Sequence, residues 1–182
     1  MSSVDASIES SRESELQVEI TYSDIKGTFD NNTYSNAYSG ITLNIPEGYY
    51  PATSDNEVVF LRSSNKEDSD VLEYNDMVSD ARFVSDSGNA INIDLLYIPG
   101  DSMTPVNATS ILSQLTSSMT ERSGYTNKAN GLSSSYSWVQ YDYVKGDYSC
   151  TITMMVSCDN SVATVITLID TDNEDLMSEI TG

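Results

Sequence analysis

Four aromatic side chains fall close together, at Tyr136, Trp138, Tyr141 and Tyr143. On a strand, where side chains alternate, Tyr136 and Trp138 share one face and Tyr141 and Tyr143 the other. Aromatic residues fit ordinary sheet packing, and they also suit an exposed face that docks a peptide, a glycan or a partner protein. These four are the candidate partner-binding residues. Two acidic runs could attract a cation. Asp170-Thr171-Asp172-Asn173-Glu174 opens like a calcium loop. However, Asp175 stands where that loop needs Gly, and Thr181 where it needs a bidentate Glu. The run reads better as an acidic turn that caps a helix. Glu67, Asp68 and Asp70 read as a solvated loop. Neither a metal nor a cofactor is expected.

Catalytic chemistry has little to build on. The chain contains no His. That excludes Ser-His-Asp and Cys-His sites, His-bearing zinc sites and a His pH switch. Its 28 acidic residues always supply a carboxylate pair at some distance, but nothing marks out one pair for glycoside hydrolysis. The two cysteines, Cys150 and Cys158, sit at opposite ends of an expected strand. Eight residues of strand span about 26 Å. A disulfide needs Cα atoms about 6 Å apart, so two free thiols are expected. A reactive thiol would need an electropositive neighbour, and Lys and Arg together number only 8. The chain is expected not to be an enzyme.

The elements that must carry these residues can be traced by periodicity. Alternation predicts strands over Leu16–Tyr22, Tyr34–Tyr38, Ile41–Ile45, Met77–Ser85 and Ile91–Tyr97. Asp30-Asn31-Asn32 and Ser87-Gly88-Asn89 read as turns. Residues 51–76 are ambiguous, with a short helix conceivable from Ser54 through Leu61. Ala108, Ile111, Leu112, Leu115 and Met119 fall on one helical face, with Asn107 as N-cap and Gly124 as the stop. Three further strands, Tyr136–Val144, Tyr148–Ser157 and Val162–Ile169, form a meander and the expected centre of the sheet. A last helix begins near Asp172 and docks through Leu176 and Ile180. Strands, helix, meander and helix in that order predict an α+β fold: an antiparallel β-sheet with helices packed on it.

The chain has 182 residues and a formal net charge of −20. Its length suits one domain over 16–182, preceded by a flexible Ser/Glu-rich tether over 1–15. The tether looks like what remains after an export segment has been removed. No run of about 20 apolar residues could span a membrane. The charge repels nucleic acid and anionic lipid surfaces.

The stretch from Asn32 to Tyr49, Asn-Thr-Tyr-Ser-Asn-Ala-Tyr-Ser-Gly-Ile-Thr-Leu-Asn-Ile-Pro-Glu-Gly-Tyr, resembles the opening of the PsbP-like fold in domains of bacterial surface lipoproteins. Tyr49 stands where Trp is usual in that family. The later order of paired strand, helix, meander and closing helix is similar too. The resemblance implies a PsbP-like α/β sandwich and a non-enzymatic, extracytoplasmic binding domain of a secreted or lipid-anchored bacterial protein. It implies an anchor upstream of residue 1, a protein or cell-envelope partner and no shared catalytic residue. An alternative, resting on charge alone, is an acidic immunity protein, inhibitor or chaperone that neutralises a basic partner.

Overall fold

The computed structural model describes residues 19–52, 63–99, 105–117, 119, 121–159, 161–172 and 175–181. Its described elements run α1 (Tyr22–Ile25), β1 (Thr28–Asp30), β2 (Thr33–Asn36), β3 (Ile41–Asn44), β4 (Tyr49–Pro51), β5 (Met77–Ser85) and β6 (Ala90–Tyr97). Then come α2 (Pro105–Thr116), β7 (Tyr125–Leu132), β8 (Ser137–Lys145), β9 (Tyr148–Asp159), β10 (Val162–Asp170) and α3 (Leu176–Thr181). The expected tether and the helix over Ser54–Leu61 lie outside the described residues.

The expected α+β class is wrong. Among the described residues the fold is mostly β: two antiparallel sheets and three short helices, of 4, 12 and 6 residues. One sheet has the order β1-β2-β3, the other β4-β5-β6-β10-β9-β8-β7. The layer facing much of the large sheet is therefore itself a sheet. Its origin is local. Asn31 and Asn32 both adopt left-handed backbone, with φ of 48° and 58°. Two such residues make the tight hairpin whose twist matches its strands. Thr33–Asn36 then pairs with Ile41–Asn44, and the short meander closes on itself rather than joining the large sheet.

The two sheets meet through a shared apolar core. Tyr34, Leu43 and Ile45 pack with Ile93, Ile166 and Leu168, all nearly inaccessible. Leu176 and Ile180 dock α3 on this same core, as their spacing predicts. On the opposite face of the large sheet, α2 covers β8 and β9. Its Ala108, Ile111 and Leu112 pack against Val139, Met154 and Val156. β10 lies at the middle of the large sheet, and every residue of it is buried.

Several element boundaries differ from expectation. Leu16 and Val18 lie outside the described residues, and the end of their expected strand is a helical turn. Tyr22 and Ile25 are buried there, while the Asp24 carboxylate accepts the Thr21 N–H at 2.8 Å. α2 begins at Pro105, two residues before the expected cap, where a proline loses no helical hydrogen bond. It ends at Thr116, whose hydroxyl donates back to the Leu112 carbonyl at 2.8 Å. Gly124 instead leads into β7 with φ of 96°. β7 itself was not expected. The large sheet ends in β4, which carries Pro51, and in β7, whose register shifts by one residue around Lys128. Proline, a bulge and lysine are each poor templates for further strand pairing. No described helix is long and apolar enough to cross a membrane.

Candidate functional site

The tight turn between β7 and β8 is built by serine. The Ser133 Oγ accepts the Tyr136 N–H at 3.0 Å and the Ser135 N–H at 3.3 Å. The Ser133 N–H donates to the Tyr136 carbonyl at 2.8 Å. This fixes the turn and leaves Ser134 and Ser135 exposed at its tip. Two adjoining depressions open on either side, with volumes of about 500 and 250 Å³, and share Ser134, Ser135 and Tyr136. The larger reaches the start of β3 and the end of β9, where Thr42, Ser157 and Asp159 line it. The smaller is walled by Trp138, Met155 and Met177.

The walls are held by buried polar bonds. The Thr164 hydroxyl donates to Ser39 Oγ at 3.1 Å, tying the small sheet to β10. The Thr109 and Ser137 hydroxyls are 2.7 Å apart, tying α2 to β8. Asn36, fully buried, donates to the Ile25 carbonyl at 2.7 Å and accepts the Tyr38 and Ser39 N–H groups at 3.0 Å each. That turn delivers Gly40 and Ile41 to the cleft with fixed geometry.

Trp138 is positioned by a glycine. Gly131 is its direct cross-strand partner, and a Cβ there would lie 2.6 Å from the indole ring. The indole therefore lies across the bare backbone of β7. Gly131→Ala should displace the ring and destabilise the fold by about 1–3 kcal/mol. The chain has a single Trp, so its emission spectrum should move with the melting temperature. An unchanged spectrum would contradict this placement.

The four expected aromatic residues are split between opposite sheet faces. Tyr136 and Trp138 line the cleft. Tyr141 is 3% exposed and packed in the core beneath α2. Tyr143 stacks with Tyr125 at a centroid distance of 4.6 Å, with Tyr148 beyond it at 6.2 Å. Tyr141 and Tyr143 thus do not contribute to the cleft. The titratable groups lining the two depressions are Asp159, Cys158 and Tyr136. Burial pushes the Cys158 thiol up to about 11 and raises the Tyr136 hydroxyl above its ordinary value. Both stay protonated at neutral pH, so neither is an activated nucleophile. Cys150 and Cys158 are both free thiols.

A second polar group was not anticipated. Asn92, Asp94 and Thr167 are buried on the inner strands β6 and β10, where Asn92 faces Thr167 directly across the ladder. The Arg82 guanidinium, on neighbouring β5, donates to Ser63 Oγ at 2.9 Å. Burial raises Asp94 to about 6, against the opposing effects of a Ser63 hydrogen bond and the Arg82 charge. Its Oδ1 has no hydrogen-bond partner among the described residues. In the sequence, the alternation Ile91-Asn92-Ile93-Asp94-Leu95 suggests a wet face opposite an apolar one. Nothing in that pattern reveals that both faces are covered.

The described ends of the acidic turn after β10 are hydrogen-bonded. The Asp170 carboxylate accepts the Asp172 N–H at 3.2 Å, and Asp172 accepts an Asn89 amide N–H at 2.8 Å. The Asp175 carboxylate accepts the Ser178 hydroxyl at 2.7 Å in the first turn of α3. No family model, curated protein or solved structure matches the chain, and nothing in these comparisons identifies a PsbP-like fold.

Proposed function

We propose that this is a non-enzymatic binding domain of a secreted or lipid-anchored bacterial protein, and that the cleft beside the Ser133–Tyr136 turn receives a protein or cell-envelope partner. The observation that carries this reading is the cleft itself. The larger depression, about 500 Å³, has the size of a small-ligand site, about 300–1,000 Å³, and the adjoining one, about 250 Å³, adds a fixed aromatic wall to its hydroxyls. The protonated state of Cys158 and Tyr136 supports binding rather than covalent chemistry. The lipoprotein-like Asn32–Tyr49 stretch supports a place outside the cytoplasm. The charge of −20 disfavours nucleic acid as the partner.

The test is retention of the domain on envelope material from the cells that make it. Wild-type domain should be retained. Ser135→Leu, which fills the exposed tip of the turn without touching the core, should lose retention while keeping its melting temperature. Equal retention of the two proteins would overturn the reading, as would immunoblot detection of the native protein in the cytosol only.

A further inference from the structure

We propose that the cleft binds a neutral oligosaccharide, an inference that rests on the binding-domain reading above. Charge narrows the class first. Among the described residues no Lys or Arg lines either depression, and Asp159 stands at the larger one. With −20 on the whole chain, an anionic ligand would enter against both the local and the overall field.

The lining chemistry narrows it further. Thr42, Ser134 and Ser135 are exposed, and Ser157 is half-buried. Each hydroxyl both donates and accepts, which matches a ligand that carries the same dual group at many positions. The Asp159 carboxylate adds acceptors only, suited to ligand hydroxyls that donate. Ser39 and Ser137, by contrast, are engaged in holding the walls.

The second depression supplies the apolar half. Sugar rings expose C–H groups on one face, and the positive edge of those C–H bonds meets the negative face of an aromatic ring. Trp138, laid across Gly131, and Tyr136 provide such a surface, with the polarisable thioether of Met177 beside it and Met155 buried behind. Hydroxyl-lined and aromatic compartments that share one serine turn accommodate successive sugar units of one chain.

The probes are cello-, xylo- and chito-oligosaccharides, titrated against the intact chain by calorimetry and by Trp138 emission. At least one should bind saturably and shift the emission, and an anionic oligogalacturonide should not. Trp138→Ala should weaken binding by more than about tenfold. Should that variant fold poorly, Ser135→Leu provides the same reading with the core intact. The sugar assignment is overturned if none of these probes binds at millimolar concentration, or if binding survives Ser135→Leu. Envelope retention that is lost in Ser135→Leu while every sugar fails would overturn the sugar and leave the cleft as the site. A peptide or protein displacing the emission instead would have the same meaning.

Discussion

Asp80→Ala should destabilise the fold by about 3–5 kcal/mol, the largest loss expected from a single partly buried side chain here. The β5 register slips between Ser79 and Ala81, so Asp80 is the extra residue of a bulge. A bulge re-aims its side chain. The carboxylate collects three donors from the small-sheet side: the Tyr22 hydroxyl at 2.7 Å, the Tyr34 hydroxyl at 2.5 Å and the Gly27 N–H at 3.0 Å. Hydrogen bonds to a charged acceptor contribute about 1.5–3 kcal/mol each, less than additively when they share it. Tyr34 is 1% exposed, so without Asp80 its hydroxyl loses its acceptor deep in the interface between the sheets. Burial, reinforced by Asp80, raises both tyrosine hydroxyls and keeps them as donors. Gly27 must be glycine, because a Cβ there would overlap the Tyr34 ring. Urea unfolding of Asp80→Ala, Tyr34→Phe and the double variant should show strong coupling. A loss under 1 kcal/mol, on the order of a surface substitution, would contradict the role of Asp80 as the clasp between the sheets.

Asp94→Asn should have the opposite sign, stabilising the protein by about 2 kcal/mol at pH 8. Burial raises Asp94 from the ordinary 3.8 to about 6. Between these values the folded chain holds a proton that the unfolded chain has released. Stability from this group is therefore complete below about pH 4 and is lost as pH rises through about 6. The full shift corresponds to about 3 kcal/mol. That figure already nets the Arg82 attraction against burial, and imperfect hydrogen bonding by the asparagine trims the gain to about 2 kcal/mol. An asparagine keeps an acceptor for Ser63 and presents no charge to desolvate. Stability measured by urea unfolding from pH 4 to pH 8 should fall for wild type relative to the variant, with the gap opening between pH 4 and 6. A gap that closes with rising pH would refute the buried-acid account.

The reach of the sequence differed by element for physical reasons. β5, β6, β9 and β10 are legible because their side chains obey a clean period of two or form dense apolar runs. The helical face of α2 is legible too, since Ala108, Ile111 and Leu112 are all buried, and Met119, just past its end, packs in the same cluster. β7 is not. Its Asn127-Lys128-Ala129-Asn130-Gly131 centre has low strand propensity, and pairing with β8 alone places it. The fold class differs because Tyr34–Tyr38 and Ile41–Ile45, read as strands of one sheet, form β2 and β3 of a separate one, and alternation does not say which strands pair. For the site, alternation separates Tyr136 and Trp138 from Tyr141 and Tyr143. Which face is covered by α2 depends on tertiary packing, and no local pattern carries it. The partners of Trp138, namely Gly131, Met155 and Met177, are scattered along the chain and meet only in the folded sheet.

Amide hydrogen exchange reads occupancy of the cleft segment by segment. The domain is compared alone and bound to envelope material from the cells that make it. The expected result is slowed exchange at 39–42, 133–138 and 157–159, the three segments that border the two depressions. Protection confined to the acidic loop at 67–70 or to the free edge of β7, with the cleft segments unchanged, would contradict binding at the cleft.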